Sequence, residues 1–449
     1  MQNLPDTRRS TVTSSRARSN VDIAEAASQA VVKKVTWHLI PFLLVLYIVA
    51  FIDRVNISFA ALSMSKSLGM GPEAYGLAAG IFFIGYFAFE VPGNVMLKRF
   101  GARIWITRIL ISWGVVVFLT AFVQNTTQLY LLRFVLGLAE AGFFPGIILY
   151  LTMWFPRNQL AKTVAMFMTA IPIAFIIGGP VSTWLIDNMR GAGLEGWRWM
   201  FLIEGLAAVL LGPITLFYLT DEPAKAQWLS STEKETLIQE LSRGAQVEEV
   251  PSGAAAAFRS GYVWYLALTY FLYIAGTLGL VYFIPQITKQ LSSTLTNFQV
   301  GLVTAIPYVA GAIAMNLWGH HSDKTSERTW HAVLPLVMIV ATYMCMASGL
   351  FNQISTLVMA LTVAVIGTFC FSGPFWAIPP KFLTGSTAAV GIAIINSCGG
   401  LGGFAGPYLM GYLKNVTHGT GAGLLVLCCS LTACALMLLG IRKMSNDPN

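Results

Sequence analysis

The chain has 449 residues, 56% of them hydrophobic and only 11% charged, against roughly 25% charged in an ordinary soluble domain. That balance excludes a soluble globular enzyme. The formal charge of +8 does not form a nucleic-acid-binding patch: 20 of the 28 Lys and Arg residues fall in segments that alternate to one side, and four in those to the other. The remaining four, Arg54, Arg108, Arg133 and Arg198, lie within or at the ends of apolar runs.

Residues 1–36 are polar and Arg-rich and read as a disordered cytoplasmic tail; Asp6, Asp22 and Glu25 argue against a transit peptide, and no cleavable signal peptide is read there. Apolar runs of about 20 residues then recur, the length a helix needs to cross a bilayer. They are too long and too uniform for barrel strands, and a spanning backbone must satisfy its own hydrogen bonds. The expected fold is therefore all-α, a polytopic membrane protein. Spans are predicted at 38–62, 75–97, 105–123, 129–154, 163–189 and 198–219, placing a first six-helix bundle at 37–220. A charged linker follows at 221–261, in which Ser231-Thr232-Glu233-Lys234-Glu235 opens a short polar helix with a tethering role. A second six-helix bundle at 262–441 holds spans 262–290, 298–318, 332–351, 355–380, 388–413 and 421–441, before a short tail at 442–449. Six helices, a linker and six more helices read as two parallel repeats. The Lys/Arg asymmetry puts both termini in the cytoplasm by the positive-inside rule.

Equivalent loops support the duplication. Lys98-Arg99-Phe100-Gly101-Ala102-Arg103 follows the second span, and Gly319-His320-His321-Ser322-Asp323-Lys324-Thr325-Ser326-Glu327-Arg328 follows the eighth. A carboxylate and cations at such a junction (Asp323, Lys324, Arg328) suit a latch that holds one half against the other and releases as they rock. The six cysteines, Cys345, Cys370, Cys398, Cys428, Cys429 and Cys434, fall in predicted spans without metal-like spacing and read as small buried hydrophobes. His320 and His321 lack further ligands, so neither a metal nor a cofactor is expected. No HExxH or G-x-S-x-G motif supports an enzyme.

Few ionisable residues occupy the central spans: Asp53 and Arg54 in the first, Glu90 in the second, Arg133 and Glu140 in the fourth. Each costs about 2.5–3.5 kcal/mol at mid-bilayer on insertion scales, and such residues face the interior, pair, and mark a pathway. Arg133 and Glu140, two turns apart, share one face of their helix. Asp53 and Arg54 are about 100° apart, so at least one turns toward the centre. A buried Arg needs a negative partner in each long-lived state. A carboxylate cargo can serve as that partner through a bidentate fork, and a protein carboxylate must serve otherwise. Protonating Asp53 or Glu140 would free Arg54 or Arg133 for an anion; the plain alternative is an ion pair that never opens. Glu90 suits either a static pair with Arg103 or Arg108 or a functional role. Asn396, amid Gly391, Gly399, Gly400, Gly402 and Gly403, suits substrate binding or helix packing. Tyr282, Gln286 and Trp376 are candidates for the second-half wall.

The Asp323/Arg328 loop resembles the signature of the major facilitator superfamily, over about 33–442 of the chain. Phe51-Ile52-Asp53-Arg54-Val55-Asn56-Ile57, Glu90-Val91-Pro92-Gly93-Asn94, the stretch Arg133 to Gly146 and the stretch Gly196 to Gly205 together resemble the anion:cation symporter family, especially its phthalate, tartrate and hydroxyphenylacetate permeases. That resemblance implies import of a small organic carboxylate by proton symport with alternating access, in the cell inner or plasma membrane, by a functional monomer. It matches Arg54 and Arg133 to substrate-binding or coupling arginines, Tyr86 to a carboxylate-contacting tyrosine, and Asp53 and Glu140 to proton carriers. The chain departs from the pattern twice. The first-half loop lacks the usual acidic residue, and Ile171 stands where sugar-acid carriers tend to have glutamine, which points away from polyhydroxy acids. Pro172 and Gly178-Gly179-Pro180 partly resemble the glycine-proline signature of drug/proton antiporters, so an exporter of amphipathic compounds is the runner-up. A transporter-like nutrient sensor is a third reading.

Overall fold

The computed structural model describes residues 7–243, 253–383 and 385–446. Its helices are α1 (Thr7–Ser67), α2 (Pro72–Phe100), α3 (Ala102–Thr120), α4 (Thr126–Glu140), α5 (Phe143–Trp154), α6 (Arg157–Met168), α7 (Ala170–Asn188), α8 (Gly196–Tyr218) and α9 (Ser231–Arg243). They continue as α10 (Gly253–Arg259), α11 (Gly261–Val281), α12 (Ile284–Leu291), α13 (Asn297–Thr325), α14 (Thr329–Ala347), α15 (Ile354–Trp376), α16 (Pro379–Phe382), α17 (Gly385–Thr417) and α18 (Gly421–Asn446). Among the described residues, twelve segments are long and apolar enough to cross a membrane, with α4/α5, α6/α7 and α11/α12 each forming one of them. The expected all-α, twelve-span architecture is what the chain adopts.

The ends depart from expectation. Helix α1 starts at Thr7, so most of the stretch read as an unstructured tail is helical, and α18 runs on to Asn446. The cause is visible at its inner end: Val31, Val32 and Val35 are buried, and Lys34 holds Glu233 of α9 at 2.8 Å. His38 stacks on Tyr218 and Trp228 beside it. Residues 1–6, the linker carboxylates Glu248 and Glu249, and residues 447–449 lie outside the described residues.

Three spans are interrupted for stated reasons. The fourth breaks after Glu140, where Gly142 takes the left-handed φ of +86° open to glycine at little cost. The fifth breaks at Thr169, three residues before Pro172, whose ring excludes the preceding carbonyls from a regular helix. The seventh breaks at Tyr282 and Phe283, and α12 restarts with Pro285 in its first turn.

In the first half α1 packs on α7 and α8, α2 on α4, and α3 on α8; in the second, α11 packs on α17 and α18, and α13 and α14 on α15. The halves meet along α2 with α17 and α7 with α13. Small residues permit that approach: the Cβ of an alanine at Gly76 would lie 2.4 Å from Pro407 O, and one at Gly411 2.4 Å from Pro72 O. Asp187 accepts from Asn297 Nδ2 at 2.7 Å and from Phe298 N at 2.8 Å. These contacts sit at the face opposite the termini, which is sealed.

The α2–α4 contact leaves no room for a side chain at Gly137. A methyl at Gly137 would lie 2.0 Å from Phe82 O and 2.7 Å from Tyr86 N, so backbone rather than a flexible side chain would have to give. Gly137→Ala is expected to destabilise by about 3 kcal/mol, the upper end of the overpacking range. Its thermal unfolding midpoint in detergent should fall; a midpoint equal to wild type would contradict the helix spacing.

Candidate functional site

The charged residues of the first half converge between α1, α2 and α4. Arg54 turns toward the centre and its Nη2 donates to Glu140 Oε1 in an ion pair that joins α1 to the end of α4. The guanidinium lies 4.8 Å from the Phe51 ring centroid and 5.4 Å from those of Phe82 and Tyr86. Cation–π attraction therefore supports a charge that is largely out of water. Tyr86 thus lines the same spot.

Arg133 is the exception. It is 1% exposed, and among the described residues it forms no ion pair. Its Nε donates to Ala78 O at 3.3 Å, its Nη2 weakly to Arg54 O at 3.5 Å, and its Nη1 has no partner. Glu140 does share a helical face with it, yet that carboxylate is committed to Arg54. The arrangement leaves one arginine neutralised by a carboxylate and a second without one, each with one buried nitrogen lacking a hydrogen-bond partner, Nε of Arg54 and Nη1 of Arg133.

Asp53 points the other way, into the packing between α1 and α3, where Trp113 Nε1 donates to Oδ2 at 2.7 Å and Oδ1 is left without a partner. One turn on, Asn56 Nδ2 donates to Glu204 Oε2 at 2.9 Å, and Ser182 Oγ donates to Glu204 Oε1 at 2.7 Å. Sequence reasoning passed over Glu204, although it lay in the quoted Gly196–Gly205 stretch. The signal was available: it is a carboxyl group inside an apolar span.

Glu90 pairs with neither Arg103 nor Arg108. It accepts from Asn396 Nδ2 at 3.2 Å and Ser397 Oγ at 2.5 Å, joining α2 to α17 across the two halves. Arg108 instead bonds Ala139 O and Ser112 Oγ, each at 3.3 Å, and lies over Trp105. Asn396 is therefore spent on a cross-half contact rather than presented free. Of the expected second-half wall, Tyr282 reaches the site, its hydroxyl donating to Arg54 O at 3.4 Å; Gln286 Nε2 is buried without a partner, and Trp376 packs on Tyr270.

The latch residues form a closed loop of their own. Arg328 Nη1 meets Asp323 Oδ1 at 2.7 Å and Ser322 Oγ at 2.9 Å, with Lys324 exposed beside them, all within the second half. In the first-half loop the missing acidic residue is replaced from elsewhere: Asp221 Oδ1, beyond α8, accepts from Arg103 N at 3.0 Å. His321 bonds His331 at 2.7 Å, and Glu327 accepts from the Trp330 and His331 backbone N–H groups. Burial pushes the Glu327 carboxyl up, but these donors outweigh it and hold the group below its ordinary range. Of the cysteines, Cys370, Cys428 and Cys434 are buried, Cys345 and Cys398 are half-buried, and Cys429 is exposed on the outer surface of α18, which corrects its reading as a buried hydrophobe.

Two bundles of six helices, closed at one face around mid-depth arginines, define a polytopic carrier rather than an enzyme. Residues 43–407 match the Major Facilitator Superfamily model, and the chain belongs to that family. It is 46% identical over 418 residues to a putative tartrate transporter of Agrobacterium vitis, covering 92% of this chain and 95% of the relative. It is also 41% identical to a quinolone resistance transporter of Acinetobacter baumannii, covering 88% and 91%. Among solved structures it superposes on the partially occluded, inward-open xylose transporter of E. coli with a TM-score of 0.71 at 16% identity, covering 90% and 97%. The last likeness concerns the fold alone. The tartrate relative agrees with the organic-anion branch read from the sequence, and the protein is a multi-pass membrane transporter.

Proposed function

We propose that the chain imports a small organic carboxylate by proton symport, with both termini cytoplasmic in the cell inner membrane and the sealed face external. The observation that carries this reading is the pair of unequal arginines. Arg54 is neutralised by Glu140, while Arg133 beside it has no carboxylate partner among the described residues. Protonation of Glu140 releases Arg54, and the two guanidiniums then form a double clamp for an anion, framed by Tyr86. Loss of the proton on the cytoplasmic side restores the internal pair and expels the cargo. Asp53, held by Trp113, is a second proton carrier in this scheme, behind the clamp rather than in it. Asp323, Lys324 and Arg328 latch the cytoplasmic side only when the halves close there, which fits their present pairing within one loop.

The name of the Agrobacterium relative supports a hydroxylated dicarboxylate, whereas Ile171 supports a less hydroxylated or aromatic acid. A screen has to hold both kinds. One proton with a monoanion moves no net charge, so the pH gradient alone drives it; a further proton adds about 2.3 kcal/mol per 100 mV. Adding tartrate, phthalate, hydroxyphenylacetate, nicotinate or a uronate to vesicles should raise the external pH for at least one of them. Uptake that needs sodium and leaves pH unchanged would refute proton coupling. The runner-up, export of amphipathic compounds, draws on the Acinetobacter relative and on the packed aromatic rings of Tyr47, Phe51, Phe175 and Tyr308. It predicts drug efflux where the leading reading predicts carboxylate uptake. A nutrient sensor would bind without exchanging label in counterflow.

A further inference from the structure

Lys414 ends the last full turn of α17 at the sealed face and is only 7% exposed. Hydropathy alone leaves it in a loop, yet here an ammonium group has been taken out of water. A lysine has three donors to satisfy, and the partners are few. Its Nζ donates to Gln290 Oε1 at 3.3 Å and lies 5.6 Å from the Phe283 ring centroid. Among the described residues it forms no ion pair. The neighbouring carboxylate on α2, Glu73, is engaged by Asn415 Nδ2 at 3.4 Å.

A second group near it shares the deficit. Gln286 lies four residues before Gln290, hence one turn inward on the same face of α12, and its buried Nε2 has no well-aligned acceptor, its side chain lying against the Tyr75 hydroxyl. The seam between the halves runs directly past. Tyr75 of α2 packs edge-on to Phe283 with ring centroids 5.0 Å apart, and its hydroxyl donates to Tyr282 O at 2.5 Å. Tyr282 in turn touches Arg54 O. From the sealed face inward there is thus a line of donors with few or poorly aligned acceptors: Lys414 on Gln290, then Gln286 beside the Tyr75 hydroxyl, then Arg133 beside Tyr282. Stable packing does not produce such a line without reason, because each unmet buried donor costs about 1–3 kcal/mol.

We infer that Lys414, with Gln286 and Gln290, forms an outer anion station that captures the carboxylate when the sealed face opens and hands it inward to Arg133. This rests on the carboxylate-import reading above. Opening the seam withdraws Tyr75 from Phe283 and admits water and anion to the ammonium group. Closing it leaves the cation with only neutral company, which favours release of the anion toward the guanidiniums. A cation at the mouth of a low-dielectric cleft raises local anion concentration and entry rate, and the gain fades with salt.

The test is directional. In proteoliposomes of fixed orientation, Lys414→Gln should raise the KM for uptake from the sealed face about 10-fold at low ionic strength. It should also flatten the salt dependence of that KM, while KM from the face bearing the termini stays within about twofold of wild type. Lys414→Arg should restore entry, since it keeps the charge. A merely structural lysine would lower the maximal rate in both directions and leave the KM asymmetry and salt dependence as in wild type; that pattern overturns the station. Wild-type protein that moves no carboxylate from the screen overturns the import reading and the station with it. Wild type that moves one while Lys414→Gln keeps its KM and salt response overturns the station alone.

Discussion

Arg133→Gln is expected to reduce carboxylate uptake at low substrate by at least 100-fold without unfolding the protein. The guanidinium presents a planar fork, and each charge-assisted hydrogen bond to a carboxylate is worth about 1.5–3 kcal/mol. Losing two of them removes about 3–6 kcal/mol of binding, and each 1.4 kcal/mol is tenfold. Lysine should rescue poorly, because a point charge on a flexible stem does not reproduce the fork. Stability should move the other way. Arg133 is buried with no ion pair, so its charge is a net cost to the resting fold, and a neutral amide of similar reach relieves it. The expected signature is thus a variant with an unchanged or raised unfolding midpoint and almost no uptake. Both are read on one preparation, by thermal unfolding in detergent and by initial rates in proteoliposomes. Uptake within about threefold of wild type would show that the free donor has no cargo to meet.

The spans were legible because hydropathy and length are local properties, and Asp53, Arg54, Arg133 and Glu140 stood out because a charge in lipid is costly wherever it occurs. Their partners were not legible. Arg54 and Glu140 are 86 residues apart, and no spacing rule reaches across three loops; Arg133 and Glu140 share a helical face, yet the carboxylate bonds Arg54. Asp53 and Arg54 illustrate the same limit. Their angular separation required one to point inward, but only the position of Trp113 on α3 decides which. Glu90 was read against the nearest cations on its own half, whereas its donors, Asn396 and Ser397, come from the other half over 300 residues away. Glu204 was missed for a different reason: it sits in the same helix as Trp197 and Trp199, inside the Gly196–Gly205 stretch, and so reads as part of a family stretch rather than as a buried charge. Asp221 standing in for the missing loop carboxylate likewise depends on where α8 ends, which sequence fixes poorly.

Glu140→Gln separates binding from energy coupling. The amide is a fair mimic of the protonated acid. It keeps the shape, removes the negative charge and leaves Arg54 permanently released. If Glu140 is the proton carrier, the variant should still bind the anion and exchange it across the membrane, with counterflow within about threefold of wild type. Concentrative uptake should vanish. A pH difference of one unit supplies about 1.4 kcal/mol per coupled proton, enough for a tenfold accumulation; the variant should stop at a ratio near one, and substrate-driven alkalinisation should disappear with it. A carboxylate that only braces α1 against α4 predicts a different result, in which counterflow and accumulation fall together because the buried guanidinium of Arg54 loses its counter-ion and the packing loosens. Asp53→Asn offers the internal comparison. Asp53 faces Trp113 rather than the clamp, so if it carries a second proton its loss should lower the accumulation ratio under a pH gradient and abolish its response to an imposed membrane potential. An E140Q protein that still accumulates substrate to the wild-type ratio would remove the Arg54–Glu140 exchange from the mechanism and leave that ion pair a fixed strut between helices.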